Sequence, residues 1–311
     1  MTKEPIPSFE WIITDRCNYD CAYCYQRRYA DKQHGSDEVI NAVLAMLGDL
    51  PGRWHVKLIG GEPFIHPRFF ELCRRLTEAG HGISTTTNLY ASRARLHEFL
   101  DICGDKLTML TASLHLTQVK DLDGFIEKAA DFHAAKRPGT GFCVSSVLVE
   151  RDFDTLRGIE ERLAERGVPF RYQVLRVNAR FVRYRPEIEA YLAGKTPMNT
   201  DVIRRHKIFG TLCHTGHLFF KIDINGDVTR CYNHQPHFYL GNIARGTFRR
   251  FDGPTPCLSP RCTCVTPANR NMIRFGEKAP AGEVLRRLIA GTPGSLPYIA
   301  TQAWKLLRNR R

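Results

Sequence analysis

The feature that most limits the fold is a rhythm. From Phe9 to about Val177, short apolar or β-branched runs alternate with stretches whose apolar residues recur at helical spacing. Such alternation points to a parallel sheet covered by crossover helices, because parallel neighbours need a connection of a dozen or more residues. The runs predict strands over Phe9–Thr14, His55–Ile59, Gly82–Thr87, Leu107–Ser113, Phe142–Val149 and Phe170–Val177. Helices are predicted over Asp37–Leu50, Arg68–Ala79, Ser92–Ile102, Leu122–Ala135 and Phe153–Arg166, with Ser92 and Asp154 placed to cap their N-termini. Six strands are too few to close an eight-stranded barrel, so the expectation is an α/β fold built on a partial (β/α)6 barrel.

After Val177 the rhythm stops. An Arg-rich stretch leads to a predicted helix at Thr200–Phe209, and Leu218–Ile224 and Val228–Cys231 then flank Asn225-Gly226, a two-residue hairpin signal. Proline and glycine punctuate 253–267, and two short basic helices are expected from Glu283 on. The chain therefore divides into a barrel core over 1–185, a hairpin and loop extension over 186–282 and a basic tail over 283–311.

Charge follows the same division. The formal net charge is +13, yet residues 1–170 carry 21 basic and 24 acidic side chains while residues 171–311 carry 24 and 8. An even nucleic-acid coat would not divide this way, and aromatic residues are not interleaved with the basic ones as a stacking platform needs. A nucleic-acid-binding or RNA-modifying role is accordingly disfavoured. No apolar run approaches the roughly 18 residues needed to span a bilayer. Met1 to Phe9 has no export character, so a cytoplasmic setting is expected.

The 11 cysteines do not suggest a disulfide scaffold, because a chain of 311 residues can bury its own core and an odd count cannot pair fully. Cys73, Cys103 and Cys143 lie singly inside predicted helices or a strand and read as small apolar residues. Cys17, Cys21 and Cys24 are different, forming C-x3-C-x2-C just after the first predicted strand, in a segment too polar for a core. Structural zinc usually takes four ligands. A 4Fe-4S cube held by three cysteines instead keeps one iron open for a small chelating molecule.

The run Cys17-Asn18-Tyr19-Asp20-Cys21-Ala22-Tyr23-Cys24 resembles the cluster motif of the radical S-adenosylmethionine (SAM) superfamily, with Tyr23 matching the aromatic residue before the third cysteine. Gly60-Gly61-Glu62-Pro63 after the second strand resembles that family's GGEP segment. The resemblance implies a 4Fe-4S cluster on Cys17, Cys21 and Cys24, with SAM chelated at the open iron and its amino group gripped by the GGEP segment. Reductive cleavage of SAM then gives a 5'-deoxyadenosyl radical, with the electron coming from a flavodoxin- or ferredoxin-type donor. The paired glycines are expected to let the backbone approach the ligand, with Glu62 as an acceptor for its ammonium. Asn88, Ser113, Ser145 and Gln173 lie where the family places polar groups around SAM; strand-end or core roles are the alternative for each. His115 shares the strand face of Ser113 and reads as a core or surface histidine, with a substrate-facing position as the alternative.

Five further cysteines, Cys213, Cys231, Cys257, Cys262 and Cys264, crowd the second half, with His214, His217, His234 and His237 around them. The pattern C-x12-G-x4-C around Asn225-Gly226 resembles the start of the SPASM or twitch extension, which implies one auxiliary 4Fe-4S cluster. A four-thiolate zinc site is the alternative. Four of the five saturate a cube, Cys213 and Cys231 first among them, and one thiol is left over. Cys257, or equally Cys264, is the candidate for that spare thiol, positioned to return a hydrogen atom as in radical SAM epimerases.

The radical's target is expected to be a carbohydrate-like or nucleoside-like small molecule, with epimerisation or dehydrogenation as the outcome, as in the biosynthesis of specialised metabolites such as antibiotics. Only 16 residues precede Cys17, which lowers the expectation of a peptide substrate. Peptide modification, or sulfur insertion using the auxiliary cluster, is the alternative radical chemistry. Arg176, Arg180 and Arg183, with Arg185, follow the sixth strand and would suit an anionic handle on the substrate.

Overall fold

The computed structural model describes residues 4–24, 32–177, 180–196, 208–232, 238–259 and 265–290. Strands β1 (Ser8–Thr14), β2 (His55–Gly60), β3 (Gly82–Thr87), β4 (Leu107–Leu114), β5 (Gly141–Leu148) and β6 (Phe170–Val174) lie side by side in chain order, all parallel. Helices α1 (Asp37–Asp49), α2 (Phe69–Glu78), α3 (Arg93–Cys103), α4 (Leu122–Ala135) and α5 (Phe153–Ala164) make the crossovers. Ser36, Ser92 and Asp121 accept backbone N–H bonds at the starts of α1, α3 and α4. Asp154 does not cap α5. A 3-10 turn over Glu150–Asp152 runs straight into that helix, so Asp154 falls inside its first turn.

Alternation along the strands decides which side is core. Phe9, Trp11, Ile13, Val56, Leu58, Leu110, Leu114, Val144 and Tyr172 meet the apolar stripes of the helices, among them Val43, Leu72, Phe99, Phe132 and Leu156. The opposite parity, including Glu10, Lys57, Ser84, Thr111, Ser113, Cys143, Ser145 and Gln173, lies on the helix-free face. Cys73 and Cys103 belong to the helix-covered core, as expected of small apolar residues. Cys143, 1% exposed, sits instead on the other face, paired in register with Thr111.

The sixth strand is shorter than expected. The Tyr184 hydroxyl accepts from Leu175 N at 2.9 Å and donates to the Leu148 carbonyl at 2.8 Å, tying off β5 and β6 together. The chain then makes a separate hairpin of β7 (Arg176–Val177) and β8 (Arg180–Phe181), followed by an unpredicted short helix, α6 (Pro186–Leu192).

The later strands rejoin the same sheet. Of β9 (Thr211–Cys213), β10 (Phe219–Ile222), β11 (Asp227–Thr229) and β12 (Tyr239–Asn242), the last three extend it beyond β1, with β10 parallel to β1 from Ser8↔Phe219 to Trp11↔Ile222. The result is a nine-stranded open sheet, a partial barrel. β13 (Thr255–Pro256) and β14 (Ile273–Lys278) flank β9 in a small antiparallel sheet. The Asn225-Gly226 turn is not the expected two-residue type, which would need positive φ at both positions. Gly226 alone has it, at +80°, and Asp223 Oδ1 accepts from the backbone N–H of Asn225 and of Asp227, giving a wider turn with a glycine bulge. The predicted helix at Thr200–Phe209 lies outside the described residues except for its last two positions. Of the basic tail the structure describes one helix, α7 (Val265–Asn269) and β14 being followed by α8 (Ala281–Ala290). Among the described residues no helix is long and apolar enough to cross a membrane.

Candidate active site

Parallel sheets collect chemistry at the carboxyl ends of their strands. Here the chain leaving β1 carries Cys17, Cys21 and Cys24, and the chain leaving β2 is clamped onto it. Gly61 N donates to the Thr14 carbonyl at 2.8 Å and Glu62 N to the Arg16 carbonyl at 2.9 Å. A Cβ on Gly60 would stand 2.1 Å from the Thr14 oxygen, and one on Gly61 would stand 1.9 Å from that of Arg16. The glycine pair is thus required by the crossing of two segments of the chain, where the sequence suggested the approach of a ligand. The cysteine loop is pinned as a consequence.

Glu62 is also turned inward. Its Oε1 accepts from Phe64 N at 3.1 Å and Thr87 Oγ1 at 2.8 Å, and its Oε2 accepts from Asn88 N at 2.7 Å. At 1% exposure, burial raises its pKa to about 7 even against these three donors. The carboxylate joins the ends of β2 and β3. Pro63, also buried, starts the 3-10 turn that follows.

The three cysteines, with Asp15, Tyr19, Asp20 and Lys32, line one small cavity. Burial, then Cys24 and Cys17, push the Cys21 thiol up to about 11, and burial likewise raises Cys17. Three soft donors lining one cavity are suited to a shared cationic centre such as an iron–sulfur cube. Among the described residues no three His, Cys, Asp or Glu side chains are gathered around a single-ion site. A cube sets each thiolate on a different iron and so spaces its ligands more widely than one ion does.

Neighbouring loops hold this loop in place. Asp20 N donates to Gln118 Oε1 at 3.1 Å, the Tyr23 hydroxyl meets His115 Nδ1 at 2.9 Å, and Asn88 Nδ2 donates to Asn18 Oδ1 at 2.9 Å while approaching Cys17 Sγ at 4.0 Å. Burial lowers the His115 pKa to about 4, so it is a neutral partner for Tyr23. Asn18 and Gln118 are positioning residues that sequence reasoning passed over, and His115, read there as a core or surface histidine, is a third. The strand alternation that put His115 level with Ser113 was the signal available for one of them.

The remaining expected contacts fall into two sets. Ser113 and Ser145 pair in register on the helix-free face of β4 and β5, and the buried Ser145 Oγ has no hydrogen-bond partner among the described residues. Gln173 lies on the same face of β6. The arginines are apart from these. Arg176 stacks on the Phe181 ring at 4.5 Å within the β7–β8 hairpin, Arg180 is exposed, and Arg183 is 71% exposed and 4.0 Å from Glu189. They form a solvated face, with none of them drawn into the cysteine cavity.

Cys213, Cys231 and Cys257 are all buried. Cys213 pairs with Thr255 across β9 and β13, and Cys257 N donates to the Thr211 carbonyl at 2.8 Å. Burial, then Cys213, raise the Cys257 thiol to about 12, with Cys231 adding to the rise. Cys257 therefore sits near Cys213 and Cys231. His214 and His217 pack 5.8 Å apart next to β9. Cys262, Cys264, His234 and His237 lie outside the described residues.

A mostly parallel open sheet thus gathers three cysteines at its carboxyl edge, just after its first strand. Residues 11–156 match the family model for the Radical SAM superfamily, so the chain carries a radical SAM domain, of a family that uses a 4Fe-4S cluster and SAM. It is 31% identical over 80 residues to a tungsten-containing aldehyde ferredoxin oxidoreductase cofactor-modifying protein of Pyrococcus furiosus, covering 24% of this chain and 22% of that one. It is 27% identical over 122 residues to a probable GTP 3',8-cyclase of Pyrococcus abyssi, covering 39% and 40%. These matches span from about a fifth to two fifths of the relatives' lengths. In fold it is similar to native anSMEcpe with bound AdoMet, with a TM-score of 0.53, 17% identity, and coverage of 77% of this chain and 79% of that one. A second likeness is to Streptococcus suis SuiB bound to precursor peptide SuiA, with a TM-score of 0.51, 14% identity, and coverage of 73% and 59%.

Proposed function

We propose that this enzyme carries two 4Fe-4S clusters and oxidises a carbohydrate-like or nucleoside-like small molecule by two electrons. The gathering of Cys213 and Cys257, on and beside the small β13–β9–β14 sheet, with Cys231, which follows β11, is the observation that supports it. Cys262 or Cys264 supplies the fourth ligand of the second cluster. When bound and reduced, the first cluster cleaves SAM to methionine and a 5'-deoxyadenosyl radical. The substrate carbon would lose one hydrogen atom to 5'-deoxyadenosine and then a proton, and an auxiliary cluster held by Cys213, Cys231 and Cys257 would supply the acceptor for its second electron. This chain's part is to hold the geometry. Gly60–Pro63 and Asn88 anchor the loop that binds cluster and SAM, and Tyr23 is set by His115. Ser113, Ser145 and Gln173 offer polar groups to SAM or substrate. A flavodoxin- or ferredoxin-type protein supplies the electron.

Inversion is the second reading, and the left-over thiol favours it: if one of Cys262 and Cys264 is a ligand, the other can return a hydrogen atom to the carbon radical. Running the reaction in deuterium oxide separates the two outcomes. Loss of two hydrogens supports dehydrogenation, whereas one deuterium gained on carbon with no change of oxidation state would show inversion and overturn the oxidation.

A further inference from the structure

Arg230, next to Cys231, is one of the most enclosed side chains in the molecule, at 2% exposure. Its Nε and Nη2 each donate to Thr215 Oγ1 at 3.2 Å, its Nη1 to the Pro256 carbonyl at 3.2 Å, and its Nη2 also to that of Thr255 at 3.4 Å. The rings of Phe238 and Phe251 lie 5.6 and 5.4 Å from the guanidinium carbon. No carboxylate pairs with it among the described residues, and the adjoining segments 233–237 and 260–264 contain neither Asp nor Glu. A charge removed from water without an anion is strongly unfavourable, and knitting carbonyls together does not require one. Its neighbours suggest where the anion belongs. Thr255, whose carbonyl Arg230 holds, pairs with Cys213, and Pro256, whose carbonyl it also holds, precedes Cys257.

Thr215 extends the arrangement to sulfur. Arg230 occupies both lone pairs of its hydroxyl, which directs the hydroxyl hydrogen outward, and Cys213 Sγ lies 3.3 Å away to receive it.

We propose that Arg230 is the built-in counter-ion of the auxiliary cluster and that Arg230 and Thr215 together raise its reduction potential. This rests on the reading of Cys213, Cys231 and Cys257 as cluster ligands. Four thiolates leave a cube with a net charge of about −2 when oxidised and −3 when reduced, so a fixed buried cation favours the reduced form. A hydrogen bond to a ligand sulfur acts in the same direction.

The test is a redox titration of the reconstituted full chain, followed by electron paramagnetic resonance without substrate, so that turnover plays no part. Arg230→Gln should lower the reduced-to-oxidised ratio of the second cluster at a fixed potential by tenfold or more, equivalent to about 59 mV for one electron. Thr215→Val should shift it the same way by less, and Arg230→Lys should restore most of the wild-type ratio. A retained cluster with an unmoved potential in Arg230→Gln overturns the proposal. Should Arg230→Gln lose the second cluster, retention in Arg230→Lys supports the role of charge, and loss in both variants overturns it. Iron analysis separates the underlying reading: a wild-type chain with only about four irons, unchanged by Cys213→Ala, defeats the auxiliary cluster itself.

Discussion

At the scale of single residues, the site depends on positions where no substitute fits. Gly61→Ala forces a methyl group onto the Arg16 carbonyl, 1.9 Å from an ideal Cβ, so the β2 loop must leave the cysteine loop. It should cost more than about 3 kcal/mol of stability in chemical denaturation and reduce iron incorporation at the first site. An iron content equal to wild type would remove the clamp from the account. His55 gives a pH prediction. Burial first, then Arg270 and Lys57, lower its pKa to about 3, while its Nε2 meets Thr108 Oγ1 at 2.6 Å. The unfolded chain protonates near pH 6.5 and the folded one does not, so stability is full above that pH and falls as pH drops toward 3. Between pH 7.5 and 5 the loss from this one group is about 2 kcal/mol, and His55→Gln should lose correspondingly less over the same interval in urea titrations. The spacing of Cys17, Cys21 and Cys24 was legible in the sequence because ligands so close along the chain are necessarily close in space. The role of Gly60 and Gly61 was not, because it depends on which distant backbone passes by.

At the scale of elements, the β/α rhythm was legible to within a residue or two at most boundaries. Core faces repeat at the same period whatever the neighbours are. Tertiary hydrogen bonds account for the misses: the Tyr184 hydroxyl shortens β6, and Asp223 widens the Asn225-Gly226 turn. That turn is supported from β12, where Asn242 Nδ2 donates to the Asn225 carbonyl at 2.9 Å and to Asp227 Oδ1 at 2.7 Å, while its Oδ1 accepts from Arg245 N. Asn242, 1% exposed, is therefore a pin through three segments. Asn242→Ala should destabilise the chain by about 1–3 kcal/mol and raise hydrogen exchange at 223–229 before the rest of the sheet. Uniform exchange would show that the turn does not depend on it.

For the whole molecule, charge and cysteine content separate along the chain as the sequence indicated, while the arginines after β6 proved to be surface. With both clusters loaded the chain should hold about eight irons. Substituting Cys17, Cys21 and Cys24 together by Ala should leave about four and abolish 5'-deoxyadenosine formation; persistence of that product would exclude these thiols as the SAM cluster's ligands.

The seating of β10 beside β1 also sets an order of events at the ribosome. Roughly 200 residues separate Thr14 from Phe219, so at about 5–20 residues per second the outer edge of β1 waits some ten to forty seconds for its partner. During that interval β1 presents unpaired backbone groups to any nascent neighbour. The second cysteine group is translated with the strand that closes this edge. Protection of the nascent sheet and delivery of the second cysteine group thus arrive in one stretch of chain, and a product released before it would be left both sticky and without those thiols.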